Sequence, residues 1–330
     1  MASRLREAYY LAWTDGIMFE EVKSAISGIN EEDIAGEADS IKYFFYYLMA
    51  GILDYEERET DLRDRCIDEA IALRESSVGI LSSEYLELLW SRSYDLIDSG
   101  HEDEAMRLCQ KGLVVGHELV EGDYPAARRW YGRLMQLLGE LYISKGYHNQ
   151  GISLYNESFE MLKDEYDSDD PTSWMPLLSL YMYYYNRGMY EEAYQTNERI
   201  GEHIMINNGE STYDYGATYK YQRGNTLREL GRIEEAAESY REGVNLLMEL
   251  GATTDESLDY LYGNWQYMLV EKGMFQEAAA VEESMTSYYT TIGNREKLAV
   301  IYRILASLCQ KLGANDKALE YTAKSTEVMK

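Results

Sequence analysis

Little in this chain breaks a helix. Its 330 residues hold three prolines, Pro125, Pro171 and Pro176, and proline is the residue that most strongly stops helix propagation. Cysteine is as scarce: Cys66, Cys109 and Cys309 form an odd, widely spaced set without a CxxC pair, so neither a zinc site nor a disulfide framework is indicated. They read as free, half-buried thiols in a reducing, cytoplasmic setting. Positive charge is short too, with 31 basic against 59 acidic residues and a formal net charge of −28. Such a surface repels phosphate, which excludes nucleic acid as a partner and disfavours anionic membranes. Basic partners, or extended ones gripped through uncharged contacts, are favoured.

Long apolar runs are missing as well. The longest, 43–53 and 175–185, are 11 residues each, too short for a membrane span of about 20. The opening stretch Met1–Trp13 carries Arg4, Arg6 and Glu7 and has no signal-peptide core, so no membrane insertion is expected. No GxGxxG, GxxxxGK, GxSxG or HExxH occurs. His101, His117, His148 and His203 lack paired ligand spacing and read as surface or packing residues. The acidic stretch 164–170 fails the calcium-loop pattern, which needs glycine at its sixth position and glutamate at its twelfth. Started at Asp164, those positions hold Asp169 and Met175. Asp170 before Pro171 instead reads as a helix N-cap with proline at the first helical position. The chain is therefore expected to be no enzyme and to need no cofactor or metal.

What is present is a repeat. A glycine followed five residues later by a small residue occurs at Gly100/Ala105, Gly146/Gly151, Gly188/Ala193, Gly231/Ala236, Gly273/Ala278 and Gly313/Ala318. Successive glycines stand 46, 42, 43, 42 and 40 residues apart. Stepping back from Gly100 reaches Glu57–Arg58 and then Gly16. Each glycine is expected to close the first helix of a pair, and the small residue to let the second helix approach closely. Acidic residues between them suit the dipole of the second helix's first turn. Within the pairs, apolar residues follow the helical period, as Trp130, Leu134, Leu137, Leu138 and Leu141 do, and Ile152, Tyr155, Phe159 and Leu162 after them. Apolar residues make up 45% of the chain, enough for a continuous core.

Eight helix pairs are expected, at about 2–28, 37–75, 80–117, 125–165, 171–206, 213–249, 256–291 and 295–329. These residues resemble the tetratricopeptide signature W-x2-L-G-x2-Y…A-x3-F…P. The fourth pair matches best, through Leu138, Gly139, Tyr142, Gly151 and Tyr155; the sixth supplies Gly224, Ala236 and Tyr240. The eighth has Ala306 and Ala318 but Thr322 at the aromatic position, and the final proline is absent throughout. The long period is similar to that of kinesin light chains and of bacterial tetratricopeptide regulators. The resemblance implies an all-α fold, a right-handed α-α superhelical solenoid of about eight helical hairpins forming one array over 1–330. It also implies a protein- or peptide-binding scaffold, or else the ligand-sensing region of a larger regulator. The helix at the very start and the bare final pair fit a segment cut from a longer chain.

In this family the first helices line the concave face. The matching positions are Trp90 and Tyr94; Arg133, Gln136 and Glu140; Tyr185 and Asn186; Tyr221, Asn225 and Arg228; Asn264 and Tyr267; and Arg303. Asn225 and Asn264 fall where family members grip a peptide backbone, since an amide donates and accepts at once. They are equally what the repeat consensus places there. As exposed groove residues, they are expected to matter little to the fold. The basic residues that clamp a C-terminal carboxylate in chaperone adaptors are replaced here by Tyr221, Val300 and Ile304. The 32 tyrosines serve chiefly as core, with a share left for a contact surface.

Overall fold

A computed structural model describes residues 1–12, 19–56, 60–166, 170–206, 213–249 and 256–330, and no strand occurs among them. The expected punctuation at Gly16 and at Glu57–Arg58 lies outside the described residues. The chain opens with α1 (Ala2–Leu11), α2 (Phe19–Ile26) and the single turn α3 (Glu31–Ile34). It continues through α4 (Asp39–Tyr55) and α5 (Thr60–Leu73), which runs on into a π-helical turn at Arg74–Val78. Two regular pairs follow, α6 (Ser83–Asp98) with α7 (Glu102–Glu121) and α8 (Pro125–Ser144) with α9 (His148–Leu162). Next are α10 (Met175–Asn186) with α11 (Tyr190–Ile206) and α12 (Tyr213–Glu229) with α13 (Ile233–Glu249). The last pairs are α14 (Glu256–Glu271) with α15 (Phe275–Thr291) and α16 (Arg295–Lys311) with α17 (Asn315–Glu327). No helix among the described residues is long and apolar enough to cross a membrane.

The regular pairs share one joint. Gly100, Gly146, Gly188, Gly231, Gly273 and Gly313 all sit at φ of 73–86°, a conformation that costs glycine nothing. The residue after each donates to a carbonyl five positions back, as His101 does to Leu96 at 2.7 Å and Met274 to Leu269 at 2.8 Å. This pattern satisfies carbonyls that a helix end leaves open. The small residue five places on is buried in every joint, and Ala105, Ala193, Ala236 and Ala278 show no exposed surface. At Gly151 even a methyl group is too much, because its Cβ would lie 2.7 Å from the Gly139 carbonyl oxygen. Two further joints were not anticipated: Gly293 (φ 73°) and Asp123 (φ 59°) close α15 and α7 in the same left-handed way.

Packing divides the chain into two compact units, Met1–Pro176 and Leu177–Lys330. The first contains a front core around Leu5, Ile34, Tyr43 and Ile67 and a repeat core around Tyr85, Leu89, Leu134 and Leu141. The second is built on Leu227, Tyr240, Leu261, Met268 and Leu305. Two details depart from the expectations above. The thiols are buried rather than half-buried, and burial lifts those of Cys66 and Cys109 to about 11. Asp170 does act as an N-cap, its carboxylate accepting from the Thr172 N–H at 2.9 Å. The turn it caps is 3-10, Pro171–Ser173, and α10 starts two residues later.

Candidate functional site

In the second unit, α12 and α14 are the first helices of consecutive pairs, and a cavity of about 340 Å³ lies between them. Ala217, Thr218 and Tyr221 line it from α12, Tyr260 and Leu261 from α14. One helical turn beyond Tyr221 stands Asn225, and one turn beyond Tyr260 stands Asn264. Both asparagines are half-buried, and each uses one half of its amide internally. Asn225 Oδ1 accepts from the Tyr240 hydroxyl at 2.7 Å, while Asn264 Nδ2 donates to the Tyr260 carbonyl at 2.7 Å. Among the described residues Asn225 Nδ2 and Asn264 Oδ1 have no partner. One donor and one acceptor are thus left over.

Beside this face lies a group of tyrosines. Tyr181 is buried, its hydroxyl donating to the Gln222 carbonyl at 3.2 Å and sharing a hydrogen bond with Thr226 at 3.1 Å. Its ring meets Tyr185 at 5.7 Å, and Tyr185 meets Tyr190 edge-on at 5.5 Å. Burial raises the Tyr185 hydroxyl above its ordinary value, and the nearby Glu229 carboxylate adds to this. Arg228 opposes both by favouring the tyrosinate. Arg228 itself pairs with Glu229 at 2.8 Å. Tyr185, Tyr221, Asn225 and Arg228 are therefore brought together, joined by Tyr181 and Tyr240. Asn186 is exposed at the end of α10, and Tyr267 and Arg303 are exposed on α14 and α16.

In the first unit the candidate residues gather around one guanidinium. Arg133 lies 3.6 Å above the Trp90 ring and 5.1 Å from that of Trp130, a cation–π geometry. Trp90 meets Trp130 at 5.5 Å and Tyr94 at 5.9 Å, and Tyr94 is half exposed. Burial lowers the Arg133 pKa. Gln136 is half-buried and Glu140 exposed on the same helix; exclusion of water, and then Asp98, raise the Glu140 carboxyl.

The packing of the sixth pair carries the repeat signature. Its glycine, Gly224, faces the Tyr240 ring so closely that a Cβ would lie 2.6 Å from it, and Ala236 beside them is fully buried. Residues 217–246 match the family model "Tetratricopeptide repeat". The sixth pair is thus similar to a tetratricopeptide repeat. The match falls on the sixth pair and not on the fourth, whose Gly151 replaces the consensus alanine. Three solved structures have a similar fold. The apo form of the quorum sensor NprR from B. thuringiensis is 14% identical, with a TM-score of 0.55, covering 99% of this chain and 87% of that one. Aspartyl phosphate phosphatase F from Bacillus subtilis is 14% identical, TM-score 0.52, covering 97% and 79%. Apo RapI is 12% identical, TM-score 0.51, covering 87% and 97%. The chain matches no curated protein sequence.

Tyr181 and Tyr260 were not anticipated at this surface, and Tyr240 was anticipated only as the aromatic of the repeat signature. Tyr260 is 63% exposed and sits exactly one helical turn before Asn264, a spacing that could have flagged it. Tyr181 carries no such signal, because its partners, the Gln222 carbonyl and the Thr226 hydroxyl, lie on another helix.

Proposed function

We propose that the chain is a non-catalytic scaffold that binds an extended protein or peptide segment along its first helices, with the α12–α14 face as the principal contact. The observation that supports this most is the pair of leftover amide halves. A peptide unit offers one C=O and one N–H, and Asn225 Nδ2 and Asn264 Oδ1 offer the matching donor and acceptor whatever the ligand's side chains. Tyr221, Tyr260 and Tyr267 add rigid amphipathic area, and Tyr185, Asn186, Arg228 and Arg303 extend the same set of positions. Trp90, Tyr94, Arg133, Gln136 and Glu140 form a second candidate patch. The net charge of −28 favours a basic ligand and opposes nucleic acid, and the buried unpaired thiols fit a cytoplasmic setting.

The non-catalytic part rests on the sequence, which carries no recognisable nucleophile, phosphate-cradle or zinc signature, because one protein of this fold is named a phosphatase. A second reading is the ligand-sensing region of a larger regulator. The likeness to a quorum sensor over 99% of the chain supports it. Panning a random peptide library on the purified chain, followed by calorimetry of enriched peptides, tests the site. Asn225→Ala and Asn264→Ala should each weaken binding by about five- to hundredfold, the cost of an unpaired buried group. Peptides that bind both variants as tightly as the parent would move the site elsewhere. A single preferred sequence with no tolerance for exchange would favour the sensor.

A further inference from the structure

The front of the first unit holds a pocket of about 290 Å³, open at a rim that includes exposed Ala12, Gly51 and Asp54, that the peptide-binding surface does not use. Val22, Leu48, Ala50, Ile67 and Leu88 give it an apolar wall, and Tyr47, Glu87 and Ser91 form a polar end. Glu87 is the unusual member. Its Oε2 accepts from the Tyr47 hydroxyl at 2.7 Å, and no cation touches it among the described residues. A half-buried carboxylate in an apolar cavity normally has a cationic partner, since desolvating its charge is costly.

The cavity's own arginine does not supply one. Arg63 is consumed by three carboxylates: Asp54 at 2.7 Å, Asp64 at 3.3 Å, and Asp95. Asp54 also lines the cavity, so the lining carries an excess of negative charge. Arg129 and Arg133 act on Glu87 only weakly, after burial, Tyr47 and Glu84, and Arg133 is seated on the Trp90 ring. The outcome is a carboxyl lifted to about 7, chiefly by burial.

The glycine in the wall points the same way. Gly51 lies inside α4, where glycine is less favourable than alanine by about 1 kcal/mol. A Cβ built there would meet nothing within 4 Å, so no packing contact demands glycine. Gly51 lines the pocket at its exposed rim, where a larger side chain has room to cover the opening.

We infer that this cavity binds a small organic cation, a primary ammonium group on an apolar body, with the ammonium on Glu87 and the body against Leu48, Ile67 and Leu88. This site is separate from the α12–α14 face, and its test does not depend on that reading.

The probe is 2-phenylethylamine, with 3-phenylpropionate as a similarly shaped anion, each titrated into the full chain by calorimetry. The amine should bind and the anion should not. Glu87→Gln should weaken amine binding by about ten- to hundredfold, as expected for losing a charge-assisted hydrogen bond. Gly51→Leu, which covers the opening and improves helix propensity, should abolish binding while the melting temperature holds or rises. Gly51→Leu keeps the test decisive if Glu87→Gln fails to fold. No binding of the amine at millimolar concentration, equal binding of the anion, or unchanged amine affinity in Gly51→Leu would each overturn the assignment.

Discussion

Where α1, α4 and α6 meet, helices are joined through side chains that carry charge. Tyr9 donates to Glu84 at 2.7 Å, Tyr47 to Glu87 at 2.7 Å, and Arg74 to the Tyr43 hydroxyl at 2.9 Å. The π-helical turn carries Arg74 into this network, and Tyr85 and Lys111 both reach Glu75, at 2.7 and 2.6 Å. From the α6–α7 joint onward the pattern differs. A left-handed glycine closes the first helix, and a buried small residue lets backbones approach, as at Gly146 and Gly151 or Gly231 and Ala236. The contrast follows from what each stretch contains. Close approach at the repeat joints uses small residues at a fixed spacing, whereas the front adds polar side chains on different helices that satisfy one another.

The most severe way to break the front should be Arg74→Leu. Arg74 is 9% exposed and lies 3.7 Å from Glu84, so its removal leaves Glu84 without its cation and the Tyr43 hydroxyl without that donor. The expected loss is about 3–5 kcal/mol, read from denaturant melts, with hydrogen exchange lost first in α1 and α4. A melt matching the parent would mean the network contributes nothing.

Glu282 sharpens the contrast because it is a buried charge within the repeats. It has no exposed surface, and neither carboxyl oxygen makes a hydrogen bond of ordinary geometry. Burial raises it from 4.5 to about 7, against a smaller lowering by Tyr262. A folded-state value above the unfolded one means stability fully present below about 4.5 and lost as pH rises through about 7. Glu282→Gln should remove that loss and be the more stable protein at pH 8, by on the order of 3 kcal/mol. Parallel stability–pH curves for the two proteins would show that Glu282 does not titrate in this window.

For the repeats, Ala236→Phe should cost about 2 kcal/mol by overpacking the α12–α13 contact, with an exposed Arg241→Ala control left within about 0.5 kcal/mol. Equal melts for the two would mean the close approach is unimportant. The smallest effect concerns Asn225→Ala, which leaves the buried Tyr240 hydroxyl without its partner and should cost about 1 kcal/mol of stability. Asn264→Ala, which loses only a bond to its own helix, should stay near the parent. If the two variants melt alike, the Tyr240 contact is not made in solution.

The repeats were legible because their signal is local: six glycines and six small residues at fixed offsets specify both the joint and the approach. The front was not, since Tyr9 and Glu84 are 75 positions apart and nothing in either residue names the other. The front does carry one local signal. Asn30 and Asp33 cap each other reciprocally at the start of α3, a spacing visible in the sequence. For the candidate site, the helix period placed Tyr221, Asn225 and Arg228 correctly on one stretch. It could not reveal that Tyr240 occupies half of the Asn225 amide, and the expectation that Asn225 is irrelevant to the fold is corrected by that bond.

The buried thiols have a practical consequence. Cys66 lies in α5, Cys109 in α7 and Cys309 in α16, so the front, a middle repeat and the last pair each hold one sulfur shielded from reagents. A thiol-reactive label can reach each only when its own helix opens, and at fixed pH the three labelling rates report three local opening equilibria. The unmodified chain thus contains three clocks, and mass spectrometry of the labelled peptides would read which region opens first.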